Sequence, residues 1–171
     1  ALSGGMRGAA ASSYANLGEY YRKLGRYEEA EEIFKEVLAV AKGDTKVITS
    51  NNLGLIYEAT GRPEQAEELY RRAFNYFLSK YGIRHPITGS AESNLAYLLG
   101  QSGDLHAAEK IYLSQIKRFE EKDQRDSPQM ALAATGLGEA YVKAGKFSEG
   151  LPYLIRCRDI FNKTNGDDDY N

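Results

Sequence analysis

The residues able to do chemistry are few, and most of them have a simpler reading. The densest carboxylates, Glu28, Glu29, Glu31, Glu32 and Glu36, would suit acid–base work. However, Glu31 stands four before Lys35, Glu67 four before Arg71 and Glu68 four before Arg72, the spacing of ion pairs on a solvated helix face. The single cysteine, Cys157, falls at a small-residue position equivalent to Ala73 and reads as a buried structural thiol. The two histidines, His85 and His106, are too far apart in sequence to suggest a His-based metal centre. No Ser or His sits in a nucleophile elbow, and Gly145-Lys146 lacks the upstream glycine and following Ser/Thr of a phosphate loop. We therefore expect no catalytic residues, no metal ligands and no cofactor. What remains is a recurring amide. Asn16, Asn52 and Asn94 share one register, and an amide carries donor and acceptor together, so it matches the N–H and C=O of an extended backbone whatever its sequence. Such an amide can equally bond locally within its own hairpin.

The elements that would position these amides come from an internal repeat. Asn16-Leu17-Gly18, Asn52-Leu53-Gly54, Asn94-Leu95-Ala96 and Gly136-Leu137-Gly138 recur at offsets of 36, 42 and 42 residues. Each is followed at fixed spacing by Gly25, Gly61, Gly103 and Gly145, then Ala30, Ala66, Ala108 and Gly150, then Phe34, Tyr70, Tyr112 and Leu154. Apolar residues on either side of each glycine keep three-or-four spacing, so every unit predicts two helices joined at a left-handed glycine. The expected helices are 9–24, 27–42, 45–60, 63–80, 86–102, 105–122, 128–144 and 147–163. Asp44, His85 and Ser127 are expected N-caps, with Pro86 and Pro128 at first helical positions. Gly18, Gly54 and Gly138 lie inside helices at a cost of about 1 kcal/mol each. Close approach of the partner helix through its own small residues (Ala30, Ala66, Gly150) is the expected reason.

Leu17, Gly18, Tyr21, Gly25, Ala30 and Phe34, repeated as Leu53, Gly54, Tyr57, Gly61, Ala66 and Tyr70, resemble the tetratricopeptide repeat (TPR). The resemblance runs over residues 9–163, with Leu99 replacing the tyrosine in the third unit, and Gly150 and Leu154 departing in the fourth. The 42-residue spacing and Tyr81-Gly82-Ile83-Arg84-His85-Pro86 are similar to the long repeats of the kinesin light chain class. The resemblance implies an all-α fold, an α-solenoid of about four repeats wound as a right-handed superhelix, with first helices lining a concave wall. Given that wall, the groove residues are Asn16, Glu19, Arg22, Lys23, Asn51, Asn52, Leu55, Asn94, Tyr97, Glu139 and Lys143. They would hold a peptide segment of a protein partner. Chaperone-binding members of the family clamp a C-terminal carboxylate with Lys and Asn at set positions; here Ala15 and Glu19 stand there, which argues against that ligand.

Composition sets the outer bounds. The 171 residues suffice for one domain or one short array. With 22 Lys+Arg against 24 Asp+Glu, the net charge of -2 provides no general attraction to nucleic acid or anionic lipid. No apolar run approaches a membrane span, so no membrane insertion is expected. One cysteine fits a reducing compartment, hence an intracellular location, most simply the cytoplasm, with an organelle interior as the alternative. The sequon Asn162-Lys163-Thr164 would matter only in a secreted protein, and Asp167–Asp169 read as solvated carboxylates. The expected organisation is a flexible segment at 1–8, repeats at about 9–43, 44–84, 85–126 and 127–163, and an acidic polar tail at 164–171. The chain begins at Ala1 rather than Met, so we expect a piece of something longer. Two other readings compete with peptide binding. In one, the chain self-associates through Leu151, Leu154, Ile155, Ile160 and Phe161 of the last helix; in the other, it is a regulatory docking domain from a larger enzyme or signalling protein.

Overall fold

The computed structural model describes residues 9–166. Among them are eight α-helices and no strand: α1 (Ala9–Lys23), α2 (Tyr27–Val40), α3 (Gly43–Ala59), α4 (Pro63–Tyr81), α5 (Pro86–Ser102), α6 (Leu105–Glu121), α7 (Pro128–Lys143) and α8 (Phe147–Gly166). Consecutive helices pair as hairpins, α1 with α2 through to α7 with α8. Every expected helix is present, and no end is displaced by more than three residues. The largest shift is at α8, which carries Thr164, Asn165 and Gly166 in helix where a tail was expected. The expectations for 1–8 and 167–171 lie outside the described residues.

The chain divides into two compact units, one ending at Gly82 and holding α1–α4, the other beginning at Ile83 and holding α5–α8. In the first, Ala30 and Phe34 of α2 bury against Leu53 and Ile56 of α3, with Tyr21, Tyr57 and Leu69 packed around them. In the second, Tyr112 and Ile116 of α6 and Met130, Ala134 and Leu137 of α7 are buried. The hairpin glycines behave as expected: Gly25, Gly61, Gly103 and Gly145 have φ of 74°, 73°, 94° and 74°, where a β-carbon would be strained.

The helix-interior glycines answer to a different neighbour from the one expected. A β-carbon on Gly18 would lie 2.5 Å from the Phe34 ring, and one on Gly54 would lie 2.6 Å from the Tyr70 ring. The close approach is thus to the aromatic four residues beyond Ala30 or Ala66, whose ring lies across the first helix where a side chain would be. In the last hairpin two small residues of the repeat register do meet: a Gly150 β-carbon would fall 2.9 Å from the Gly138 carbonyl oxygen.

Helix starts are partly as read. His85 Nδ1 accepts from the Ile87 N–H at 3.3 Å and Ser127 Oγ from Met130 N–H at 3.2 Å, with Pro86 and Pro128 next in line. Asp44 is not a cap. It lies within the first turn of α3, and its carboxylate reaches to the end of α4, accepting from Lys80 Nζ (2.6 Å), Tyr76 OH (3.0 Å) and Tyr81 OH. That cluster, Lys80 first, holds Asp44 down at about 2. Asp104, which the repeat pattern does not mark, caps α6 by accepting from Ala107 N–H at 3.0 Å. Cys157 is only half-buried, not enclosed as expected, and the Thr135 hydroxyl lies against its sulfur at 2.9 Å.

The outer-face ion pairs at Glu31–Lys35 (2.7 Å), Glu67–Arg71 (2.5 Å) and Glu68–Arg72 (3.3 Å) are present. Glu31 does more than decorate a solvated face. It also takes two bonds from the Arg62 guanidinium of the following hairpin, Nη2 to Oε2 at 2.6 Å and Nη1 to Oε1 at 3.2 Å. Arg62, which also covers the Tyr57 ring, holds the Glu31 carboxyl down at about 2, with Lys35 assisting. A carboxyl whose folded pKa is lowered adds stability that is complete above its unfolded value of about 4.5 and is lost as pH falls toward 2. Arg62→Met is therefore expected to flatten the acid limb of a urea-stability profile between those values. An unchanged limb would mean that the bridge contributes nothing.

Candidate peptide-binding surface

The residues read as a groove separate into two groups, one in each compact unit. In the first unit, α1 and α3 are direct neighbours, with Ser12 Oγ and Thr45 Oγ1 3.4 Å apart. Along them Asn16 and Lys23 are exposed, while Glu19, Arg22, Asn51, Asn52 and Leu55 are half-buried. In the second unit, α5 and α7 approach closely, since a β-carbon on Gly100 would come within 3.1 Å of Ala140 Cβ. Here Tyr97, Glu139 and Lys143 are exposed and Asn94 is half-buried. A cleft of about 200 Å³ opens beside them, with Gly100, Gly103, Ala140 and Ala144 as its small walls and Gln101 and Lys143 as its polar ones.

The structure brings some of these residues together. Glu19 and Arg22 form a two-point pair, Nε to Oε2 at 2.7 Å and Nη2 to Oε1 at 2.8 Å, and Lys23 lies 3.7 Å from the same carboxylate. Arg22, by its hydrogen bond, lowers the Glu19 pKa and is itself raised. This stretch of α1 thus presents a neutralised pair and one loosely held lysine, not separate charges of either sign. In the second unit Lys143 Nζ donates to Gln101 Oε1 at 2.7 Å, joining α7 to α5 across one repeat length. Below α3, Tyr70 OH donates to Glu58 Oε2 at 2.9 Å, and burial pushes the Glu58 carboxyl up despite that bond.

The amide register has a geometric signature at its fourth member. A β-carbon on Gly136 would lie 2.4 Å from the Tyr112 ring and hydroxyl on α6. At Gly136 the register therefore borders the second helix of the preceding hairpin, where the tyrosine fills the space that an asparagine would need.

A second polar cluster was not legible in the sequence. Glu92 of α5 is buried, its Oε2 accepting from Gln115 Nε2 at 3.0 Å and from Arg118 Nη2. Gln115 also donates to Ser93 Oγ at 3.0 Å, and Arg118 to Ser114 Oγ at 2.8 Å. Burial raises the Glu92 pKa, with Gln115 and Arg118 opposing. The equivalent positions in α7 and α8 are Ala134 and Cys157, so the repeat pattern gave no warning. Each member already has partners, which makes the cluster a brace between α5 and α6. Among the described residues, no group of three or more His, Cys, Asp or Glu is placed to hold a metal, and no helix is long and apolar enough to cross a membrane.

Two family profiles, both described as tetratricopeptide repeat, match residues 46–121 and 10–42. No curated protein sequence matches the chain. Among solved structures, the TPR-like repeats of a kinesin light chain from Podosopora anserina align with a TM-score of 0.75 at 20% identity, over 91% of this chain and 76% of that one. BtubC (BKLC) from P. vanneervenii aligns with a TM-score of 0.78 at 23% identity, over 94% of this chain and 65% of that one. The quorum sensor NprR from B. thuringiensis, in its apo form, aligns with a TM-score of 0.64 at 16% identity, over 95% of this chain. The chain spans 65% of BtubC and 46% of NprR. At these identities the likeness is one of fold.

Proposed function

The chain belongs to the tetratricopeptide-repeat family, and from that premise we propose that it holds a peptide segment of a partner protein along the first helices of its repeats, with no chemistry of its own. Family membership makes it a protein-interaction scaffold; the peptide, its groove and its contacts are the proposal. The observation that carries it is the pair of inner-helix surfaces, α1 with α3 and α5 with α7. On each, polar side chains stand at repeat spacing, Asn16 with Asn52 in the first unit and Gln101 with Lys143 in the second, where Tyr97 is also exposed. Asn52 and Asn94 supply paired donors and acceptors for a backbone. Tyr97 offers a flat apolar face with a polar tip, and Lys23 and Lys143 offer positive charge. Nucleic acid is not the partner on this reading, since the net charge is slightly negative. We place the module in the cytoplasm.

Peptides selected from a random display library on the wild-type chain serve as probes. Asn52→Ala with Asn94→Ala is expected to weaken them by roughly 2 kcal/mol, about thirtyfold in Kd, in a chain that remains folded by circular dichroism. A folded double variant that binds the selected peptides as tightly as wild type refutes the amide contacts. A library that yields no binder at all refutes the groove.

A further inference from the structure

In a repeat array each hydrophobic face is buried only by its neighbour, so burial at one register reports whether that neighbour is present. Leu53 and Ile56 of α3 lie on α2 and are 4% and 0% exposed; Leu137 and Ala140 of α7 are likewise buried. Their counterparts in α1, Leu17 and Tyr20, are 40% and 59% exposed. The far end mirrors this. Phe34 of α2 and Tyr112 of α6 are buried, whereas the equivalent Leu154 of α8 is half-buried and its neighbours Leu151 and Phe161 are 56% and 62% exposed. Ile155 joins this stripe, and Ile160, expected on it, is buried inside instead.

The polar contacts of the interior joints say which surface fits. At the register of Leu151, α2 carries Glu31 and α6 carries Glu109, and each is bonded to the following hairpin, Glu31 to Arg62 and Glu109 to Tyr141 OH. At the register of Arg62 the first hairpin has Arg26, whose guanidinium is already satisfied by its own Glu29 at 2.6 and 2.8 Å and lies over the Tyr21 ring. The joint's carboxylate is thus absent from the last hairpin, and the first hairpin has no need of it. The one charge in the apolar row, Arg158, is paired with Asp159 beside it.

We propose that the outward face of α8 in one copy (Leu151, Leu154, Ile155, Phe161) is covered by the outward face of α1 (Leu17, Tyr20) in a second copy, so that copies join head to tail. The joint repeats the contact that α3 makes on α2 and α7 makes on α6, with apolar burial in place of the Glu31–Arg62 and Glu109–Tyr141 bonds. The joint is heterologous, α8 of one copy on α1 of the next, and does not pair like with like.

Sedimentation velocity on the whole chain tests this. The wild type is expected to show a weight-average mass that rises above that of the monomer with concentration. Leu151→Glu, which blocks the α8 face, and Leu17→Glu, which blocks the α1 face, are each expected to be monomeric. Both positions are exposed, so helicity by circular dichroism should be unchanged. Mixed together, the two variants keep one good face each and are expected to form a one-to-one dimer that grows no further. A wild type that stays monomeric overturns the proposal, as the faces are then covered by a further repeat or a different protein. A Leu17→Glu chain that dimerises by itself also overturns it, in favour of a symmetric α8 pairing, as does a mixture that stays monomeric.

Discussion

Replacing Arg118 by methionine is expected to cost about 3 kcal/mol at neutral pH, since removing one partner of a buried ion pair strands the other charge. Glu92 would keep the Gln115 bond but lose the guanidinium that opposes its burial. The pH dependence identifies the cause. The folded pKa of Glu92 is already raised by burial and would rise further in the variant. For an acid with a raised folded pKa, the native state binds the proton more tightly than the unfolded chain does, so stability falls as pH climbs from about 4.5 through the folded value. The loss should therefore be small at acidic pH and develop fully above that window. Urea denaturation at pH 4 and pH 7.5 reads the difference. Adding Glu92→Gln to Arg118→Met should recover most of the neutral-pH loss, because a neutral amide needs no counter-charge. Equal losses at both pH values, with no recovery, would reduce Arg118 to a packing residue.

The second large effect is Gly54→Leu, expected to lose about 2 to 3 kcal/mol although leucine is the better helix former by roughly 0.8 kcal/mol. The new β-carbon alone would lie 2.6, 3.0 and 3.3 Å from three atoms of the Tyr70 ring. That ring is fully buried and its hydroxyl is tied to Glu58, so it has no room to swing aside, and α3 must lift from α4. Gly89→Ala is the control. Gly89 lies in α5, and a β-carbon there would have nothing within 4 Å, so the same kind of change should stabilise by about 0.5 to 1 kcal/mol. Thermal melts that rank Gly54→Leu at or above wild type would remove steric contact as the reason for glycine in the repeat.

These expectations rest on features of unequal visibility in the sequence. The hairpins were legible because apolar spacing, the turn glycines and Pro86 and Pro128 are local signals that report a helix face or a helix end whatever surrounds it. The partner of the helix-interior glycines was not legible, for a related reason. Spacing places Ala30 and Gly18 on facing helices, but the direction of the longer Phe34 side chain determines which atom fills the gap. Glu31 was hidden by sufficiency: its pairing with Lys35 explained it completely, so nothing pointed to Arg62. The surface residues followed the same rule. Register placed Glu19 and Arg22 side by side on one turn, while their two-point pairing, which cancels their charges toward a ligand, depends on rotamers that spacing does not encode.

The order of helices, their ends, the turns between them and the family they belong to were written in the chain itself, because each depends on residues a few positions apart. Tertiary structure alone decided which copy of a shared register is covered and which faces water. Leu17 and Leu53 carry the same side chain in the same local pattern, yet one is open and the other shut. The difference is whether another hairpin lies against them, and burial is a property of that neighbour as much as of the residue.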